Sequence, residues 1–375
     1  MHSARSLNLA LCFDGQINKA KAAALGRVCL PRVSSTTEAK KGVYSSIPRT
    51  VMATIVNALK ELRVRLARLE AANDNRCSAR RSQSVSPMEF PPELDLAFYR
   101  ASNADLRIFS DARLAAHFDE YGRNEGRAGS AAARRDDFIK LVPRAGLVLE
   151  IGPWFKPALR GPHVRYFDVW DTETSKRNAA SVGGDPADCP DIHYVSPNSD
   201  LSMIPERFGA VISSHVIEHQ PDFIRHLNAV ADLLLDSGWY FLLVPDKRYC
   251  FDYFMPVSTI ADVLDANIRK RVLHDPRNIL EYGLLRTHNE PMRHWEGDHG
   301  KPRMAEDFGV VQPAIDEASR YDQGYIDTHA WRLTPEVFRA LLNDLRNIGL
   351  TNMVPARVYN TVRGSSEFAA ILQKM

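Results

Sequence analysis

The chain has 375 residues, 45% hydrophobic and 25% charged, with a net charge of +2. This is longer than one small domain needs, and the composition is that of a soluble globular protein, not a fibrous or low-complexity one. The five cysteines (Cys12, Cys29, Cys77, Cys189 and Cys250) form no CxxC pair, which speaks against a disulfide framework or a cysteine zinc site and fits reduced thiols in a cytoplasm.

Residues 1–49 are rich in Ala, Ser, Thr and Lys without a sustained period and read as a disordered basic tail. Residues 1–86 hold 15 Lys+Arg against five Asp+Glu, so the remainder of the chain is net acidic. Such an end is either a solvated tail or a patch that could attract an anionic membrane surface or nucleic acid, although no nucleic-acid partner is expected for the chain. The apolar stretch Leu7–Phe13 is short and is stopped by Asp14. It suits neither a membrane span nor a secretory signal, so membrane contact would be peripheral, at the inner membrane.

In residues 50–72, Ile55, Leu59, Leu62, Leu66 and Leu69 are spaced 4, 3, 4, 3, the seam of a short coiled coil. It would join copies of the chain, or pack as one amphipathic helix on the protein's own body. Residues 73–92, with Asn, Asp, Arg, Ser and Pro, read as a linker. Residues 93–130 form a small helical module, in which Leu94, Leu96, Phe98, Tyr99, Leu106, Phe109, Leu114, Phe118 and Tyr121 fall at helical spacing before closing glycines.

A third part spans 133–375, where short apolar runs alternate with helical patterns from 147 onward. Leu147–Ile151, Val164–Asp168, Ile192–Val195, Ala210–Ser213 and Trp239–Val244 read as strands, and Pro221–Leu235 as an amphipathic helix. Alternation of this kind predicts an α/β fold with a largely parallel sheet, whose ligand sits at the carboxyl ends of the strands. Residues 250–330 are polar and irregular and read as an insertion capping that edge. Thr334–Gly349 is the next helix, with Thr334 as N-cap and Pro335 first inside, before strands at Leu350–Tyr359 and Phe368–Leu372.

Three signals carry chemistry. Val148–Trp154 is a strand that ends in an acid and turns at Gly152, where the backbone can approach a ligand closely. A dinucleotide loop would want three glycines to cradle a pyrophosphate, and only Gly152 is present. Asp168 ends the next strand, 18 residues after Glu150, where a carboxylate can accept from both hydroxyls of a ribose or cap a helix, with Asp171 as competitor. Phe208–His219 is an apolar strand followed by Val216-Ile217-Glu218-His219, ahead of a helix and a turn at Gly238.

On these residues the chain resembles class I S-adenosylmethionine-dependent methyltransferases, over about 147–246. "FGAVISSHVIEH" (208–219) is similar to the family's fourth strand, and "LLLDSGWYFLLVPD" (233–246) to the segment after it. "LEIGPWFKP", "DIHYV", "SHVIEH", "VPDKRYCFD" and "EFAAILQK" extend the resemblance to a bacterial subfamily encoded with glycan-synthesis enzymes. "FYRASNADL" and "HFDEYGRNEGR" in the helical module resemble a module found beside bacterial glycosyltransferases. Two departures stand out: Pro153 and Trp154 follow Gly152, and Gly209 replaces the usual acid beside Phe208.

The resemblance implies a Rossmann-like seven-stranded sheet and S-adenosylmethionine as cofactor. Glu150, Gly152 and Pro153 would line its methionine part, Asp168 its ribose and Asp200 its adenine, with Ser214 and His215 beneath it. It further implies O-methylation of a sugar or glycan-linked acceptor, near a glycosyltransferase or membrane-surface assembly. An alcohol must lose a proton during transfer, and His219, His215 and Asp246 are the candidate catalytic groups. Lys247 and Arg248 would bind an anionic group or pair within their loop. His288, His294 and His299 lack the spacing of a metal site, and no metal is expected. The rival readings are a binding or scaffold protein that keeps the fold without turnover, and a nicotinamide oxidoreductase, which the missing glycines disfavour.

Overall fold

The computed structural model describes residues 94–375. The basic tail, the 50–72 coil, the 73–92 linker and the first residue of the 93–130 module fall outside them. Helix α1 (Leu96–Ser102) and helix α2 (Asp111–His117) form the small module, each started by a side chain that caps it, Asp95 and Ser110. Tyr99, Leu106, Leu114 and Phe118 make its core, and the Tyr99 hydroxyl lies 3.1 Å from His117 Nδ1. An ion pair from Asp95 to Arg357 ties the module to the main domain.

Helix α3 (Arg135–Ile139) leads into strands β1 (Val148–Ile151) and β2 (Val164–Asp168), helix α4 (Thr172–Ser181) and strand β3 (Tyr194–Val195). Strand β4 (Phe208–Ser214), helix α5 (Phe223–Leu233) and strand β5 (Leu234–Pro245) follow. The insertion carries α6 (Ile260–Ile268), α7 (Pro276–Leu285), α8 (Pro291–Trp295), α9 (Arg303–Glu306) and α10 (Val311–Ala318). Helix α11 (Pro335–Asn347) and strands β6 (Met353–Val358) and β7 (Glu367–Lys374) complete the chain.

The seven strands form one sheet in the order β3-β2-β1-β4-β5-β7-β6. Strands β1 to β5 pair in parallel, and β7 runs antiparallel to both β5 and β6. This is the expected Rossmann-like seven-stranded α/β sheet. Alternation along each strand fills both faces. Leu149, Ile151, Val211, Leu242 and Val244 meet α5 and α11 on one face, while Val148, Tyr166, Ile212 and Phe241 meet Phe138 and Leu159 on the other. Helix α11 presents Phe338, Leu341, Leu342 and Leu345 on one stripe, each worth about 1.5–3 kcal/mol when buried. Thr334 caps this helix, accepting from the Val337 amide at 3.3 Å, and Pro335 is first inside it.

Some boundaries differ from the sequence reading, for local reasons. Helix α5 starts at Phe223, not Pro221, because the Asp222 side chain caps it by accepting from the Arg225 amide at 3.0 Å. Strand β5 starts five residues early, at Leu234, which pairs with Phe208 before an irregularity restores register at Ala210 and Trp239. The insertion is not irregular: its helices are short but individually started, α6 by a Thr259–Asp262 capping box and α7 by Asp275 with Pro276 first inside. Each is too short for a helical period to stand out in the sequence. No helix among the described residues is long and apolar enough to cross a membrane.

Candidate active site

Strand order reverses at β1, whose neighbours β2 and β4 lead in opposite directions along the sheet. Ligands of open α/β sheets bind at the carboxyl ends of strands at such a point. Three sequence candidates meet there. Ile151 is level with Phe167 on β2 and with Ser213 on β4, so Gly152, Asp168 and Ser214 lie side by side at the ends of adjacent strands.

Gly152 has φ +68°, and a Cβ there would lie 2.7 Å from Val216 Cγ2. Glycine is therefore needed both for the left-handed turn and for the close approach to the residues after β4. The loop it starts, residues 152–163, contains no helix, and Pro153, Pro157 and Pro162 punctuate it. A helix N-terminus for a pyrophosphate is thus missing after β1. Glu150 organises this loop from below: Oε1 accepts from the Ala158 amide at 2.6 Å and Oε2 from the Leu159 amide at 3.0 Å. Burial pushes its carboxyl up to about 7, against the pull of those two amides. Both its oxygens are engaged by the loop, so Glu150 fixes the fold of the segment that Gly152 and Pro153 begin.

Asp168 is 6% exposed and accepts from the Trp170 amide at 3.1 Å; burial raises its carboxyl above the usual range. Asp200 is exposed and caps a short turn, accepting from the Ser202 amide at 2.9 Å, while its own amide donates to Ser196 Oγ. The Ser214 hydroxyl oxygen is buried with no hydrogen-bond partner.

His215 ends β4 in a left-handed conformation, φ +53°. Its Nε2 lies 2.7 Å from Glu367 Oε2, at the start of β7, and its Nδ1 lies 3.5 Å from Glu218 Oε1. Burial pulls its pKa down, but the Glu367 hydrogen bond and the charges of Glu218 and Glu367 more than offset this, and the net shift is upward. His219 closes the short turn Ile217–His219, with Nδ1 2.9 Å from Asp327 and Nε2 3.8 Å from Glu218. There too burial acts downward, and Asp327, Glu218 and Asp252 together lift the imidazole to about 9.

Asp246 sits deeper than an acceptor-facing group would. It is fully buried, held by the Arg248 guanidinium at 2.6 Å and by the Thr361 hydroxyl at 2.5 Å. Its oxygens are committed to fixing the loop after β5. Arg248 is spent on that pair, and Lys247 donates to the Tyr253 carbonyl at 2.8 Å. His288, His294 and His299 gather in a stack with Tyr253 and are bonded mainly to one another and to the backbone, as in His294 Nδ1 to His299 Nδ1 at 3.1 Å.

Sequence reasoning missed Glu367, Asp327, His329 and Asp252. Glu367 lies 152 residues from its partner His215, beyond any local spacing. Asp327 and His329 lie over a hundred residues from His219 in sequence, and Asp252 lies 77 from His329, so local spacing does not reveal these pairs either.

No protein-family model and no curated protein matches this chain. Among solved structures, the CcbJ methyltransferase from Streptomyces caelestis is 10% identical, with 65% of this chain and 95% of that chain covered and a TM-score of 0.35. The mitomycin 7-O-methyltransferase MmcR is 11% identical, over 74% of this chain and 67% of that one, at a TM-score of 0.30. A Rhodobacter sphaeroides protein described as a Zn-dependent alcohol dehydrogenase is 14% identical, over 64% and 89%, at 0.35. Similarities this slight assign no activity, and the sheet order of the chain itself defines its fold.

Proposed function

We propose that the protein is an S-adenosylmethionine-dependent methyltransferase that O-methylates a sugar or glycan-linked acceptor. The observation that carries this reading is the meeting of Gly152, Asp168 and Ser214 at the reversal point of the sheet, with no helix after β1. The donor set fits the cofactor. Gly152 gives a cradle that any Cβ would fill, Asp168 is a buried acceptor suited to a ribose diol, and Ser214 Oγ is an orphaned buried hydroxyl. A loop without three glycines or a helix N-terminus suits a ligand that carries no phosphate.

When bound, the cofactor supplies a methyl group on sulfonium whose departure needs no acid. What remains for the protein is to align the acceptor and remove its proton, and alignment alone is worth several powers of ten. His215 is the base we assign. Glu367 holds its Nε2 and stabilises the imidazolium that proton uptake forms. His219 is lifted to about 9 by Asp327, Glu218 and Asp252, so in the ion-free chain it carries a proton at neutral pH and is not the base. The glycan assignment rests on the subfamily resemblance, as does recruitment by the N-terminal regions to a glycosyltransferase or membrane assembly.

Calorimetry with adenosylmethionine, adenosylhomocysteine and NAD tests the reading. Binding of the first two and not NAD is expected; failure of both nucleosides overturns it. Binding without transfer to any glycan extract would favour a scaffold that keeps the fold without turnover.

A further inference from the structure

Beside the crevice lies a second cluster that methyl transfer does not require. Glu218 is completely buried, and neither carboxylate oxygen has a hydrogen-bond partner. The histidine nitrogens beside it, His215 Nδ1 at 3.5 Å and His219 Nε2 at 3.8 Å, stand beyond good hydrogen-bond geometry. An ionised carboxylate left this way costs several kcal/mol unless a cation accompanies it. His329 approaches from the segment before α11, 5% exposed, with its ring centroid 4.8 Å from that of His219. Ligand atoms of Glu218, His219 and His329 all lie within 4.8 Å of one another.

The outer contacts point the same way. His329 Nδ1 lies 2.5 Å from Asp252 Oδ2, and His219 Nδ1 lies 2.9 Å from Asp327 Oδ1. His329 is held through Nδ1 by its hydrogen bond to Asp252, which leaves its Nε2 as the free nitrogen, while His219 Nδ1 touches Asp327 at ion-pair distance without hydrogen-bond geometry. Carboxylate–histidine pairs of this form orient imidazoles toward a metal and raise their basicity. A metal ion here would displace the proton that His219 carries in the ion-free chain and take over the neutralisation of Glu218, Asp252 and Asp327.

We propose that Glu218, His219 and His329 bind one divalent transition-metal ion of the borderline class, zinc above all. Two imidazoles and a carboxylate suit Zn2+, whose ligand atoms in a tetrahedron stand about 3.3 Å apart, so modest rotamer shifts close the site. Asp252 and Asp327 are its outer carboxylates. Asp327 is exposed, which gives an ion a route in. Three protein ligands leave one position open, for water or, on the methyltransferase reading, an acceptor hydroxyl beside His215. That last step rests on the proposed function; the metal site does not.

The test uses the full chain, freed of metal by chelation, then titrated with Zn2+ by calorimetry and with Co2+ by visible absorption. One equivalent of either ion is expected, with Zn2+ displacing Co2+. Glu218→Gln and His329→Gln should each weaken binding by ~100-fold or more, and Asp252→Asn, which keeps every ligand, by ~10–100-fold. His288→Gln combined with His299→Gln should leave the stoichiometry at one. If a ligand variant does not fold by circular dichroism, wild-type stoichiometry and Asp252→Asn decide. No micromolar binding by wild type, or wild-type affinity in the folded variants, overturns the proposal. Titrating adenosylhomocysteine into the same samples separates the two readings, because metal binding without nucleoside binding removes only the cofactor assignment.

Discussion

Glu367 Oε2 lies 2.7 Å from His215 Nε2, joining the start of β7 to the end of β4 across 152 residues of sequence. The same carboxylate oxygen accepts from Arg135 Nη1 at 2.5 Å, so a single acid at the sheet edge anchors both a cation and the candidate base. Burial pushes the Glu367 carboxyl up, but its bonds to His215 and Arg135 win and hold it below the usual range.

Glu367→Gln removes the charge that helps raise His215. The imidazole should then titrate at lower pH than in wild type, which NMR of the ring protons reads directly. Activity that needs neutral His215 rises with pH through this pKa, so the rise should move to lower pH in the variant. An unchanged titration would show that Glu367 does not tune His215.

Gly152→Ala meets two penalties. Alanine in the left-handed region costs about 1–2 kcal/mol, and a Cβ lying 2.7 Å from Val216 Cγ2 adds about 1–3 kcal/mol of overpacking. Equilibrium denaturation should show both, and pairing the change with Val216→Ala should recover only the second. A cost below about 1 kcal/mol for Gly152→Ala would mean the loop yields easily and glycine is not required.

The strands were legible because both faces of the sheet are packed. Val148–Ile151 and Val164–Asp168 are short apolar runs bounded by turn residues, and the structure places strands on those residues. Helix α11 announced itself through Thr334 and Pro335. The site was only half legible. Gly152, Asp168 and His215 stand at strand ends, where sequence position alone implies exposure to the ligand edge. The polar partners that set their chemistry come from elsewhere: Glu367 from the last strand, Asp327 and His329 from the far end of the insertion, Asp252 from its start. Such pairs are created by tertiary packing and leave no period. Asp246 shows the converse, a residue at the right edge whose carboxylate turns inward to Arg248 and Thr361.

Asp168 and Asp200 make a paired test of the nucleoside pocket. Charge-assisted hydrogen bonds to a ribose contribute about 1.5–3 kcal/mol, so Asp168→Asn should weaken adenosylhomocysteine binding by roughly 10–100-fold in calorimetry. Asp200 is exposed and already caps the turn at Ser202. Asp200→Asn keeps a capping oxygen and should change affinity by less than about 3-fold. Equal losses in the two variants would remove Asp168 from its assigned role.

His226 offers a stability test away from the site. It sits on α5, 5% exposed, with Nε2 3.0 Å from the Tyr240 hydroxyl, which in turn is 2.8 Å from Ser213 Oγ. Burial, with a smaller push from Arg225, lowers its pKa to about 3. The folded protein therefore holds this ring neutral while the unfolded chain takes up a proton below about 6.5. Between those values the unfolded state binds more protons, so stability rises with pH and is lost as pH falls, by up to about 1.4 kcal/mol per unit. His226→Gln keeps a polar partner for Tyr240 but cannot titrate. At pH 7 it should be less stable than wild type by about 1–3 kcal/mol, from imperfect hydrogen bonding and packing. On acidification the deficit should shrink and reverse near pH ~5, as wild type alone loses the His226 contribution. His274, also pushed to about 3 by burial, lowers the acid stability of both proteins equally and cancels in the difference. Urea denaturation of the two proteins from pH 4.5 to 7.5 measures it, and a constant difference across that range would mean His226 is not held neutral by the fold.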